Sequence, residues 1–196
     1  PDVPVVDETA PLVADDDEAA GPYARTKAAA ERLLLAEEAS VGLVILRPPA
    51  VLGAGATSTW GTRVPAAIRD GRGFPQPRAA TFAFVHVDDL VEAIVAAAGL
   101  GEDAGPTSAR GSGGPIVANV VGGHVTVGDY LDAVVALLPT PVPERPGTDG
   151  TGWTGRYATD RLPRHLGVAP HRGFRAGMAE IADAWAGSDD GQEDGR

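Results

Sequence analysis

Tyr23 and Lys27 stand four residues apart in the run Gly21-Pro22-Tyr23-Ala24-Arg25-Thr26-Lys27. On a helix, that spacing projects both side chains from one face. A phenol with a free pKa of about 10 is a poor acid–base catalyst at neutral pH, but a nearby ammonium stabilises the phenolate and lowers that value. Such a tyrosine can pass a proton to or from a substrate oxygen while a hydride moves at the adjoining carbon. Lys27 is the single lysine beside fifteen arginines. A chain that writes Arg almost everywhere keeps Lys where a compact ammonium on a flexible stem is required. The spacing alone also fits an ordinary pair on a helix surface.

Other reactive residue types form weaker constellations. There is no cysteine, and the histidines at 86, 124, 165 and 171 show no paired ligand spacing, so metal chemistry is set aside. His86, Asp88 and Asp89 resemble a catalytic dyad, yet a histidine inside an apolar strand reads as a hydrogen-bonded core residue. Two aspartates at a helix start read as caps. No serine lies in a Gly-x-Ser-x-Gly elbow, which argues against a hydrolase.

The elements that must position Tyr23 and Lys27 follow from hydrophobic periodicity. Residues 1–20 read as an extended loop and residues 22–39 as a helix, broken by Gly42. The wholly apolar run 43–46, ended by Arg47-Pro48-Pro49, suits a buried parallel strand. Residues 53–61 form a Gly, Thr and Ser loop, followed by a short helix over 64–70, a strand over 82–87 and a helix to about residue 98. Asp89 and Glu92 have capping-box spacing at that helix. A loop over 101–115, a strand over 116–121 and a helix over 126–138, capped by Thr126 and Asp129, complete the alternation. Strand and helix in turn argue an α/β fold with a parallel sheet. Residues 139–155 are a Pro, Gly and Thr loop, and two short helices over 159–166 and 175–185 form a small C-terminal cap.

The formal charge of −11 disfavours nucleic acid and anionic membrane surfaces as partners. The acid concentrates in the run Asp15-Asp16-Asp17-Glu18 and in residues 188–196, expected to be a disordered tail. No apolar run approaches the ~20 residues that cross a bilayer. A small-molecule enzyme of the cytoplasm is expected.

Several blocks in order give these residues a family context. The run from Gly21 to Glu31 is similar to the catalytic helix of extended short-chain dehydrogenase/reductases, the NAD-dependent epimerase/dehydratase group. Asp7-Glu8-Thr9-Ala10-Pro11-Leu12 resembles the acidic loop ahead of that helix, and Leu46-Arg47-Pro48-Pro49-Ala50-Val51-Leu52-Gly53 resembles the strand-end segment beside the nicotinamide. Phe84-Val85-His86-Val87-Asp88-Asp89-Leu90, then Asn119 to Gly123 with Thr126, then Asp160 to Gly167 with Pro170, resemble later blocks. The resemblance implies a Rossmann-like doubly wound parallel sheet, here partial, over residues 1–138, with a small substrate or cap region over 139–187. It implies Tyr23 as the general acid or base and Lys27 as its electrostatic partner and ribose ligand. Backbone at Pro49 would meet the nicotinamide of NAD or NADP, and the Tyr23–Lys27 helix would form a homodimer. The implied activity is that of an NAD(P)-dependent oxidoreductase or epimerase/dehydratase acting at a hydroxyl or keto carbon.

The chain departs from that pattern in three places. Dinucleotide binding needs a Gly-rich turn between a first strand and a helix. Gly53-Ala54-Gly55 and Gly111-Ser112-Gly113-Gly114 are glycine-rich but lie in no such unit. The family's substrate-holding Ser or Thr falls ahead of Pro1 by its usual spacing, and Thr9 belongs to the acidic loop instead. The expectation is therefore a truncated dehydrogenase, with residues 43–46 exposing an unpaired apolar edge. A non-catalytic remnant or interaction module of the same fold is the alternative. Finally, Phe82 stands where many nucleotide-sugar members carry an Arg for substrate phosphates. That favours a less charged substrate, unless Arg63 or Arg78 compensates.

Overall fold

The computed structural model describes residues 3–36, 43–99, 114–138 and 147–189. Its organising element is β4 (Thr81–His86), whose side chains alternate between two hydrophobic cores. Phe82 and Phe84 enter one core with Leu52, Tyr130, Leu131 and Ile181. Val85 enters the other with Ala93, Ala118, Val120 and Leu162. A strand covered on both faces has no polar side to show, which is why Thr81–His86 reads as an almost continuous apolar run.

β3 (Ala50–Leu52) runs parallel to β4 with Val51 opposite Val85, and β6 (Gly123–Thr126) runs antiparallel along the other edge of β4. β2 (Val44–Arg47) pairs in parallel with β5 (Ile116–Asn119), and β1 (Val5–Val6) in parallel with β7 (Arg156–Tyr157). Among the described residues, β2 is paired along one edge only.

Helices alternate with these strands: α1 (Gly21–Ala36), α2 (Val64–Arg69), α3 (Val87–Ala98), α4 (Val127–Leu137), α5 (Arg161–Leu166) and α6 (Phe174–Asp189). α4 starts with a full capping box, Thr126 Oγ1 accepting from the Asp129 backbone N–H and Asp129 accepting from the Thr126 backbone N–H. α3 closes on Gly99, whose φ of 67° is the left-handed conformation that satisfies the last carbonyls. The C-terminal helices finish both cores, α6 through Met178 and Ile181 and α5 through Leu162 and Leu166. No described helix is long and apolar enough to cross a membrane.

The α/β architecture agrees with the sequence reading, and several details correct it. Residues 1–20 are not loop throughout: they hold β1 and a 3-10 turn at Glu18–Ala20, capped by the Asp17 carboxylate. After β2 the two prolines, which cannot donate to a ladder, end one strand, and the chain resumes as β3 beside β4. β6 and β7 also lie outside the expected strands. Asp89 does not cap α3: the N-cap is His86, whose ring Nδ1 accepts the Asp88 backbone N–H at 3.2 Å. α6 continues through Ser188 and Asp189 into the expected tail. The end of the first helix and Gly42, most of the 101–115 loop with residues 111–113, residues 139–146 and the rest of the tail lie outside the described residues.

Candidate active site

α1 begins with Gly21 at φ 73°, followed by Pro22, whose fixed backbone suits a first helical turn. Tyr23 is 77% exposed, so its hydroxyl is open to a reactant. Lys27, one turn on, places its ammonium 5.8 Å from the centroid of the Tyr23 ring, a cation–π contact. The two residues share one face, as their spacing requires.

Tyr23 lines a cleft of about 440 Å³ with Pro48, Pro49, Val51, Gly53, Ser58, Trp60 and Val87. Pro49 and Tyr23 therefore meet in one cavity, while Lys27 stands outside its lining. The far wall depends on a π-helical turn, Thr59–Arg63, capped by Ser58 Oγ, which accepts the Gly61 N–H at 2.9 Å. Glycine is required inside that turn because a Cβ on Gly61 would stand 2.3 Å from the Gly53 carbonyl oxygen. Trp60 is held there by Tyr130, whose hydroxyl donates to the Trp60 carbonyl at 2.7 Å.

The remaining polar candidates are committed to structure. His86 is buried, with Nε2 3.0 Å from a Glu180 carboxylate oxygen. Asp89 is buried and accepts from the backbone N–H groups of His171 and Arg172 at 3.1 and 2.9 Å and from Arg172 Nη1 at 2.5 Å. Burial opposes ionisation there, but these hydrogen bonds outweigh it and hold the Asp89 carboxyl below its ordinary range. Glu92 and His171 lie close enough to Asp89 to frame a cation, but Arg172 already bridges Asp89 and Glu92. Thr9 donates its hydroxyl to Asp7 in a local turn. Arg78 pairs with Asp132 at 2.6 Å, and neither Arg78 nor the exposed Arg63 lines the Tyr23 cleft.

A second cleft, of about 350 Å³, shares Pro49 and Trp60 with the first and adds Phe82, Trp153 and Tyr157. Sequence reasoning missed Trp60, Trp153 and Tyr157. The available signal was their rarity: aromatic residues are 5% of the chain, and four converge here.

Residues 2–107, just over half of the chain, match the NAD dependent epimerase/dehydratase family. The chain belongs to that family. Among solved structures it is similar to MoeE5 in complex with UDP-glucose and NAD, at 25% identity and a TM-score of 0.65, over 94% of this chain and 60% of that one. The UDP-glucuronic acid 4-epimerase from Bacillus cereus in complex with NAD shares its fold at 14% identity and a TM-score of 0.65, over 96% and 58%. The dTDP-glucose 4,6-dehydratase from Bacillus anthracis in complex with NAD does so at 15% identity and 0.61, over 86% and 53%. The Rossmann-like class is thereby shown, and the chain spans about 60% of the length of the first of these structures. No curated protein sequence matches it.

Proposed function

We propose that this chain carries the acid–base half of an NAD(P)-dependent oxidoreductase or epimerase/dehydratase, with Tyr23 as the proton-transfer group and Lys27 as its electrostatic partner. The observation that carries this reading is the cleft that joins the exposed Tyr23 phenol to the Pro48–Pro49 backbone, with the only lysine ammonium beside the ring.

The residues present fit the reactive end of a dinucleotide. The Tyr23 cleft offers a phenol facing Pro48 and Pro49, and Lys27 is one helical turn away for a ribose hydroxyl. Among the described residues, the direct strand-to-helix junctions, β4 to α3 and β6 to α4, are capped by His86 and Thr126 and carry no Gly-rich turn for a diphosphate. When bound, NAD(P) supplies the hydride acceptor or donor. In the oxidising direction the Tyr23 phenolate takes the hydroxyl proton as the carbinol C–H bond breaks and the C=O bond forms. In the reducing direction the Tyr23 phenol returns that proton to the new alkoxide. The Lys27 ammonium stands over the Tyr23 ring, 5.8 Å from its centroid, in both directions.

The exposed leucines 33, 34 and 35 on α1 support a homodimer through the Tyr23–Lys27 helix.

The test is nicotinamide absorbance during oxidation of a panel of secondary alcohols and reduction of the matching ketones. Tyr23→Phe is expected to lower kcat by about 10³-fold. Lys27→Met is expected to lower kcat by about 10²-fold in both directions. Unaltered turnover in Tyr23→Phe refutes the assignment.

A further inference from the structure

The second cleft is built for a particular chemistry. Its described lining includes no charged side chain: Pro49, Trp60, Pro77, Phe82, Trp153 and Tyr157 supply its aromatic and cyclic surface. The aromatic walls are fixed in place. Trp60 sits edge-on to Phe82 with centroids 5.0 Å apart and edge-on to Tyr130 at 5.6 Å, and Phe82 stacks on Tyr130 at 4.5 Å. Trp153 packs at 5.1 Å from Tyr157, which in turn stacks on His124 at 6.2 Å.

The segment carrying Trp153 is fitted to β4. The Thr81 backbone N–H donates to the Trp153 carbonyl at 2.7 Å, and the Thr81 hydroxyl donates to the Gly155 carbonyl at 2.8 Å. A Cβ on Gly155 would stand 2.3 Å from Trp153 Cζ2, so this glycine lets the indole lie against the backbone. The Gln76 amide and the Tyr157 hydroxyl add polar groups to the lining.

Pro49 and Trp60 line both clefts, so the aromatic cleft adjoins the one that Tyr23 lines. An anionic group would meet no compensating charge among the described lining residues, which is costly beside so much aromatic surface. A flat or alicyclic ring gains dispersion and area burial against Trp and Tyr faces.

We infer that the substrate is an uncharged alicyclic or aromatic hydroxy- or keto-compound, its ring held against Trp60, Trp153 and Tyr157 and its reacting carbon beside Tyr23. This inference rests on the reading of Tyr23 as the proton-transfer group.

The test is tryptophan fluorescence of the chain titrated with 2-tetralone, a neutral bicyclic ketone, and separately with UDP-glucose. Saturable quenching by 2-tetralone is expected, with UDP-glucose at least tenfold weaker. Trp153→Ala should weaken 2-tetralone binding about tenfold, and Trp153→Phe, which keeps an aromatic face, should restore it to within about threefold. Stronger binding of UDP-glucose than of 2-tetralone overturns the inference, as does unchanged 2-tetralone affinity in Trp153→Ala. Because the readout needs neither cofactor nor turnover, the two readings separate. Binding of 2-tetralone that depends on Trp153, together with turnover indifferent to Tyr23→Phe, leaves the substrate class standing and removes the catalytic assignment.

Discussion

Arg47, the last residue of β2, grips Glu31 of α1 with two nitrogens: Nη2 lies 2.5 Å from Oε1, and Nε lies 3.2 Å from both carboxylate oxygens. Its remaining nitrogen, Nη1, donates to the Glu8 carbonyl at 3.2 Å. The same Glu8 accepts the Asn119 backbone N–H at 2.9 Å and lies 3.7 Å from Arg161. One guanidinium thus ties the helix bearing Tyr23 to the residue immediately before Pro48-Pro49, and to a loop pinned on β5. Few other contacts do this, since the α1 side chains are mostly exposed and only Ala28 is buried.

Arg47→Met is therefore expected to destabilise the fold by about 2 kcal/mol, because it leaves the largely buried Glu31 carboxylate without its partner. Arg47→Lys should recover only part of that loss, since an ammonium does not reproduce the planar fork. Urea unfolding of both variants measures this. A double-mutant cycle with Glu31→Gln should return a coupling of at least about 1 kcal/mol, and a coupling near zero would show that the pair is incidental.

The Asp89 cluster predicts an acid limb. Although burial alone would raise the Asp89 pKa, the hydrogen bonds from Arg172 and His171 hold it below the ordinary value of 3.8. A carboxyl depressed in the folded state contributes stability above its unfolded pKa, and that contribution fades as pH falls through the folded value. Wild-type stability should accordingly drop as pH is lowered from about 4, while Asp89→Asn should start roughly 3 kcal/mol less stable at neutral pH and decline less steeply. Parallel acid limbs in thermal unfolding would count against the assignment.

The helix that carries Tyr23 and Lys27 and the strand ended by Pro48-Pro49 were legible because the residue types of these runs constrain their own local structure. Legibility failed where long-range contact decides. Asp89 and Glu92 have the spacing of a cap, yet Asp89 turns to backbone donors at residues 171 and 172, which no local window contains. β1 and β7 are two residues each and exist only because Val5 and Val6 meet Arg156 and Tyr157 across the chain. The aromatic cleft gathers Trp60, Phe82, Trp153 and Tyr157 from distant segments, so nothing in their spacing announced it.

Gly61 offers a test of the wall that carries Trp60. Its hypothetical Cβ would collide with a backbone oxygen, that of Gly53, and with Ser58 Oγ at 2.9 Å. A backbone atom cannot rotate away as a side chain can, so Gly61→Ala should cost about 2–3 kcal/mol and distort the turn. Near-ultraviolet circular dichroism should change with it, because the Trp185 indole N–H donates to the Gly61 carbonyl at 2.8 Å. A variant with native stability and spectrum would mean that the turn is more compliant than its packing implies.

His124 provides a second pH response, of different origin. Burial pushes its pKa below the usual 6.5, and the nearby Arg156 charge adds to the effect. The neutral ring is the useful form, since its Nε2 accepts the Tyr157 backbone N–H at 3.0 Å. With the folded value below the unfolded one, the contribution is complete above about pH 6.5 and is lost as pH falls toward the folded value. Protonation removes the acceptor and places a cation beside Arg156. His124→Phe keeps a ring to stack on Tyr157 but has no acceptor, so it should be about 1 kcal/mol less stable than wild type at neutral pH. The two unfolding curves should converge as pH falls through the lowered folded-state pKa, where the wild-type imidazole also has lost its acceptor role. A stability difference that stays constant across that interval would show that His124 is not the titrating group.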